Sequence, residues 1–194
     1  VQGLHLFNLY LKSKLNLKFN IKRYVKMLYA IAQLNQMSEG EFTESLAKIF
    51  EDSPWVAERT WPKRPFKNVN DLHRAMVETV EESSLTEKLR LICSHPDLAT
   101  KTKMAEASVK EQAGVGLDRL TLEEYNQFQQ LNQAYKDKFA FPFIVAVKNH
   151  TKESILEAFK QRLENSLETE RKQALIEIAK IAHFRLLDLI PTSL

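Results

Sequence analysis

Glycine and proline are scarce in this chain of 194 residues, which has four of one and six of the other. Strand-rich sandwiches need frequent turn residues, so this shortage moves the expectation away from them. There is a single cysteine, Cys93, so no intrachain disulfide can form and nothing asks for an oxidising compartment. No run approaches the roughly 18 consecutive apolar residues of a membrane-spanning helix. Also missing are a Cys-x-x-Cys, a His pair at helical metal spacing, a Gly-x-Ser-x-Gly and a glycine-rich phosphate loop. Gly114-Val115-Gly116 lacks the third glycine of a dinucleotide loop and follows a predicted helix rather than a strand. Metal, nucleotide and membrane readings therefore all lose their usual support.

The formal net charge of +3 is unevenly spread. Residues 1–38 carry six Lys or Arg and no acid, leaving 22 basic and 25 acidic groups in the rest. A slightly acidic body has no electrostatic footprint for nucleic acid. The segment 1–33 reads as a basic N-terminal extension. It is either a targeting segment or an extension upstream of a start at Met27 or Met37, and its shortage of Ser and Arg favours the second. Residues 34–194 are expected to form one domain, with the cytoplasm as its location.

Within that body the apolar residues recur every three or four positions, which predicts an all-α, single compact bundle of about eight helices. Ser38-Glu39-Gly40-Glu41 and Thr121-Leu122-Glu123-Glu124 are capping boxes. The first opens a helix with Phe42, Leu46 and Ile49 inward, ending near Asp52. The second opens a long helix with Tyr125, Phe128, Leu131, Tyr135 and Phe139 inward. Ser53-Pro54 reads as an N-cap with proline at the first helical position. Asn70 can cap a helix bearing Leu72, Met76 and Val80, and a shorter one places Leu85, Leu89 and Ile92 inward. Residues 103–112 read as a further helix. The segment 141–147 is the one stretch that looks extended. Thr151 can cap a helix with Ile155, Phe159 and Leu163, and Asn165 can mark the turn before the last one.

Three features carry possible chemistry. His95 precedes Pro96, which disfavours helical geometry, so the imidazole belongs at a helix end. Its ordinary pKa near 6.5 suits proton transfer, although taken alone such a histidine is more often structural. Ser108, Glu111 and Gln112 share one polar helix face, and by spacing alone a solvated face is the favoured reading. Arg185 falls with Ile178, Ile181 and Leu189 on one apolar stripe, so its charge must meet a carboxylate, internal or brought by a ligand. The remaining histidines have no comparable setting.

The motifs Ser53-Pro54-Trp55-Val56-Ala57-Glu58-Arg59, His95-Pro96-Asp97-Leu98-Ala99, Ser108-x-x-Glu111-Gln112 followed by Ala113-Gly114-Val115-Gly116-Leu117, and Phe141-Pro142-Phe143-Ile144 resemble the signature of the OHCU decarboxylases. OHCU is 2-oxo-4-hydroxy-4-carboxy-5-ureidoimidazoline, an intermediate of urate degradation. The resemblance runs from about Leu34 to Ile190 and includes Arg185-Leu186-Leu187-Asp188-Leu189. It implies an all-helical homodimer that converts OHCU to S-allantoin and carbon dioxide without a cofactor or metal. By the same resemblance His95 moves the proton and Glu111 assists it. Pro96, the run Ser108-Val109-Lys110-Glu111-Gln112, the run Phe143-Ile144-Val145-Ala146-Val147 and Arg185 touch the substrate. The stretch between His95 and Glu111 is a few residues shorter than the family pattern, and Ala107 stands where an acid is usual. A helical protein-interaction module without catalysis is the competing expectation, and it predicts indifference to changes at His95 or Glu111.

Overall fold

The computed structural model describes residues 31–100 and 106–190. The expectations for most of the basic extension and for residues 103–105 lie outside them. Helical residues 31–36 lead into α1 (Glu39–Leu46), α2 (Trp55–Thr60), α3 (Val69–Glu81), α4 (Leu85–Ser94), α5 (Glu106–Gly114), α6 (Leu122–Phe139), α7 (Lys152–Leu163) and α8 (Leu167–Leu189). Two 3-10 turns occupy Trp61–Lys63 and Val147–Asn149. No strand occurs among the described residues, and none of their helices is long and apolar enough to cross a membrane. The fold is all-α.

Local chemistry explains most boundaries. Ser38, Ser84, Thr121 and Thr151 each cap a helix through a reciprocal box with the residue three positions on. Each box satisfies two backbone amides that the helix itself leaves unpaired. Several expectations need correction. The cap of α3 is Asn68, whose side chain accepts from the Asp71 amide, while Asn70 Oδ1 meets the His183 ring. The N-cap of α2 is Pro54, so the helix begins one residue later than the Ser53-Pro54 pattern suggests and has no side-chain cap. α1 stops at Leu46, and residues 47–52 form turns in which Asp52 takes a positive φ of 28°. The inward face of α4 is Leu91 and Ile92, with Leu89 only half-buried and Leu85 exposed.

α8 is the organising element: α3, α4 and α6 pack against it, while α1 packs on α2, α2 on α3 and α6 on α7. Phe42, Leu72, Met76, Phe128, Tyr135, Ile155, Phe159 and Leu186 are among the fully buried residues that join these helices. The stripe on α8 carries Ala174, Ile178, Ile181, Ala182 and Leu186 inward, but Leu189 lies outside it, exposed.

Residues 141–147 are buried throughout and have no helical structure before Val147. Buried backbone without a ladder requires partners from elsewhere. Two charged side chains supply them. Arg162 of α7 donates from Nη1 to the Ile144 carbonyl at 2.6 Å, and Glu177 of α8 accepts from the Ala146 amide at 2.9 Å. Arg162 in turn meets Glu170, which also accepts from the Tyr135 hydroxyl and from Asn165, and its guanidinium lies 4.4 Å from the Phe143 ring centroid. Phe143 stacks on Phe159 at 3.7 Å. The segment is thereby fixed from both flanks.

Candidate active site

His95 is the C-cap of α4, and its extended conformation, φ −74° and ψ 139°, is the geometry a following proline favours. The turn after it is held by α5 and α6. Gln112 Oε1 accepts from the Ala99 amide at 2.9 Å, Asn132 donates to the Leu98 carbonyl at 2.8 Å, Gln129 donates to the Ala99 carbonyl, and Lys136 pairs with Asp97 at 2.8 Å. These contacts leave the imidazole little freedom.

The His95 ring is buried, and its Nε2 has no hydrogen-bond partner among the described residues. Burial, reinforced by the nearby positive charge of Arg185, pushes its pKa down to about 3. The ring is therefore neutral at physiological pH. It lines a chamber of about 30 Å³ together with Pro96, Ser108, Glu111, Gln112 and the segment around Ile144. That volume is roughly the share of a single water molecule.

The other half of the site is a charged cluster around Arg185. Glu111 is bound in a two-pronged fork, Nε to Oε1 at 2.8 Å and Nη2 to Oε2 at 3.0 Å. Nη2 also donates to Ser108 Oγ at 3.1 Å, and Nη1 donates to the Lys48 carbonyl at 3.2 Å. A second carboxylate, Glu51, lies 2.7 Å from Nη1 and accepts from the Ser108 hydroxyl at 3.0 Å. Burial opposes the charge on Arg185, but Glu111 and Glu51 overcome that opposition and raise its pKa. Of the two partners open to Arg185 in the sequence, the structure supplies the internal one, twice over.

Beyond Glu111 lies a cleft of about 570 Å³ between α1, α5 and α8, lined by Lys48, Lys110, Lys148, Glu106, Arg185 and Asp188 among others. Glu111 lines both spaces. The helical face inferred for α5 is seen directly: Ser108 and Gln112 are buried, Glu111 is half-buried, and Val109 and Lys110 are exposed on the far side. Lys110 pairs with Glu106 at 2.7 Å and faces the cleft rather than the chamber. Phe143, Ile144, Val145 and Val147 line the chamber, whereas the amide of Ala146 is already taken by Glu177. Glu51, Arg162, Glu170 and Glu177 were not singled out by sequence, yet each holds a part of this arrangement. Among the described residues no group of three or more His, Cys, Asp or Glu converges as a metal site.

A helical bundle that buries a neutral histidine beside a carboxylate and a guanidinium defines a class of protein equipped for acid–base work on a small polar ligand. The family model for OHCU decarboxylase matches residues 35–187, and the chain belongs to that family. It is 42% identical to the 2-oxo-4-hydroxy-4-carboxy-5-ureidoimidazoline decarboxylase of Halalkalicoccus jeotgali over 82% of this chain and 90% of that protein. It is 49% identical to a uric acid degradation bifunctional protein of Bacillus sp. strain TB-90 over 80% of this chain, but it spans only 31% of that longer relative. The crystal structure of an (S)-allantoin synthase superimposes with a TM-score of 0.69 at 35% identity, covering 84% of this chain and 55% of that one.

Proposed function

We propose that this chain decarboxylates OHCU to S-allantoin and carbon dioxide, using its own side chains alone. The observation that carries the proposal is the pairing, on one small chamber, of a neutral His95 whose Nε2 is unpartnered with the carboxylate of Glu111. A general base needs a lone pair available at working pH and within reach of the proton it takes. His95 offers that lone pair without first having to lose a proton, and the Glu111 carboxylate, turned toward the ring, would raise its low resting basicity to that of a working base.

The chemistry places few demands on the protein. When the bond to the substrate carboxylate breaks, carbon dioxide leaves, its electron pair forms a double bond between the two ring carbons, and the imine pair moves to the ring nitrogen, which takes a proton from solvent, giving an enol. His95 takes the hydroxyl proton, and return of a proton to the ring carbon from one face only gives a single allantoin enantiomer. The imine and carbonyl already act as the electron sink, which is the service a pyridoxal or thiamine cofactor would otherwise provide. Gln112, Ser108 and the backbone of the 143–147 segment orient the ureido and ring carbonyl groups, with the Ala146 amide excluded because Glu177 occupies it. Pro96 lines the chamber with His95, and Arg185, which lines the adjoining cleft, meets anionic charge on the substrate. A substrate larger than a water molecule extends past Glu111 into the cleft, whose charged lining holds acids and bases in equal number, with Lys110 paired to Glu106 and Lys148 to Asp188. A homodimer in the cytoplasm accompanies this proposal as the family expectation.

The test is the decay of freshly generated OHCU, formed from urate by urate oxidase and hydroxyisourate hydrolase and followed by circular dichroism. The full chain should accelerate the decay and yield one enantiomer, and a folded His95→Asn variant should not. If a folded wild-type chain leaves the spontaneous racemic decay unchanged, the decarboxylase reading is lost and the interaction module takes its place.

A further inference from the structure

Arg185 has five N–H donors, and the structure accounts for all of them. Nε and one Nη2 hydrogen bind Glu111, the other Nη2 hydrogen reaches Ser108, and Nη1 donates to the Lys48 carbonyl and stands in an ion pair with Glu51 at 2.7 Å. A carboxylate entering the site finds no free donor on this guanidinium. It can bind there only by replacing a group already present.

The two resident carboxylates differ in how they are held. The Glu51 side chain is 2% exposed, and both of its oxygens lie within 3.1 Å of the Ser108 hydroxyl, so it has a second partner besides Arg185. The Glu111 side chain is 26% exposed, and Arg185 is its one hydrogen-bonding partner among the described residues. Glu111 is also the residue that lines both the 30 Å³ chamber and the 570 Å³ cleft. Moving it aside would join the two spaces, and moving Glu51 would strand a buried charge.

We propose that Glu51 is a positioning residue that acts through Arg185 as its permanent counter-ion, so that Glu111 is the exchangeable one, displaced when a carboxylate-bearing substrate takes its place on the guanidinium. The inference rests on the proposed decarboxylase reading and deepens it. The cluster then selects for a substrate carboxylate, and the same exchange releases Glu111 toward His95. Glu51 also keeps the resting cluster at a net charge of −1, which limits how tightly an anion is retained and keeps Arg185 from closing permanently on Glu111.

The experiment compares the full-length wild type with Glu51→Gln, Glu51→Asp and Glu111→Gln, using two probes. One is allantoin, which is neutral, and the other is allantoate, a ureido compound bearing a carboxylate. In Glu51→Gln the loss of one of the two negative charges on Arg185 should raise the allantoate-to-allantoin affinity ratio by at least about tenfold. OHCU turnover should fall in kcat without a rise in KM, and Glu51→Asp should restore the wild-type ratio. A structural prop would weaken both ligands together, and that result overturns the inference. If Glu51→Gln does not fold, Glu111→Gln carries the test. Its affinity ratio should also rise, because the exchangeable partner now holds Arg185 less firmly, and an unchanged or lower ratio overturns the inference. A wild type that turns over OHCU with unaltered ratios in the folded variants removes this inference alone, whereas a folded wild type with no turnover removes the functional reading and this inference with it.

Discussion

Acid titration reads the buried state of His95 directly. An ordinary histidine titrates near 6.5, and burial with the Arg185 charge lowers this one to about 3. Between those values the unfolded chain binds a proton that the folded chain refuses, so stability falls as pH falls through that window and is unaffected above it. The full shift corresponds to roughly 4–5 kcal/mol, of which about 2 kcal/mol is already lost at pH 5. His73 also has a depressed pKa, chiefly through burial, and acts in the same direction. The contribution of His95 is therefore isolated as a difference. Urea denaturation at pH 7 and pH 5 should show a larger loss for wild type than for His95→Gln, by about 2 kcal/mol or about 1 M in midpoint. Equal losses in the two proteins would mean that the imidazole accepts its proton in the folded state, and the picture of a neutral, unpartnered base would be wrong.

Two other substitutions probe the frame around the site. Arg162→Met should destabilise the chain by about 3–5 kcal/mol in chemical denaturation, because Glu170 is fully buried and would lose its cation. Adding Glu170→Met to it should recover most of that loss, and a double variant no more stable than the single one would show that the charge pair is not the source of the cost. Asn68→Ala should cost about 1 kcal/mol by removing the cap of α3, measured as a fall in denaturation midpoint, while Asn70→Ala should cost less than half as much.

Periodicity and capping chemistry made the helices legible, since each box at Ser38, Thr121 and Thr151 works within four residues and needs nothing from the rest of the chain. Asn68 and Asn70 show the limit of that reading. Both are good caps by type, and the choice between them depends on His183 of α8, which takes up Asn70. For the site, the same stripe argument that drew attention to Arg185 would also have found the charges missed elsewhere. Arg162 stands at i+7 from Ile155, beside Phe159 at i+4, and Glu170 and Glu177 precede Ile178, Ile181 and Arg185 on the buried face of α8. Each is an ionised residue on an apolar face, which requires a specific partner. Glu51 is different in kind. The helix expected up to Asp52 would put it on the face opposite Phe42, Leu46 and Ile49, whereas α1 stops at Leu46 and the turn that follows carries Glu51 inward. Its burial follows from the needs of Arg185 in the last helix. A buried guanidinium announces that a carboxylate must exist, and only the folded chain determines which one answers.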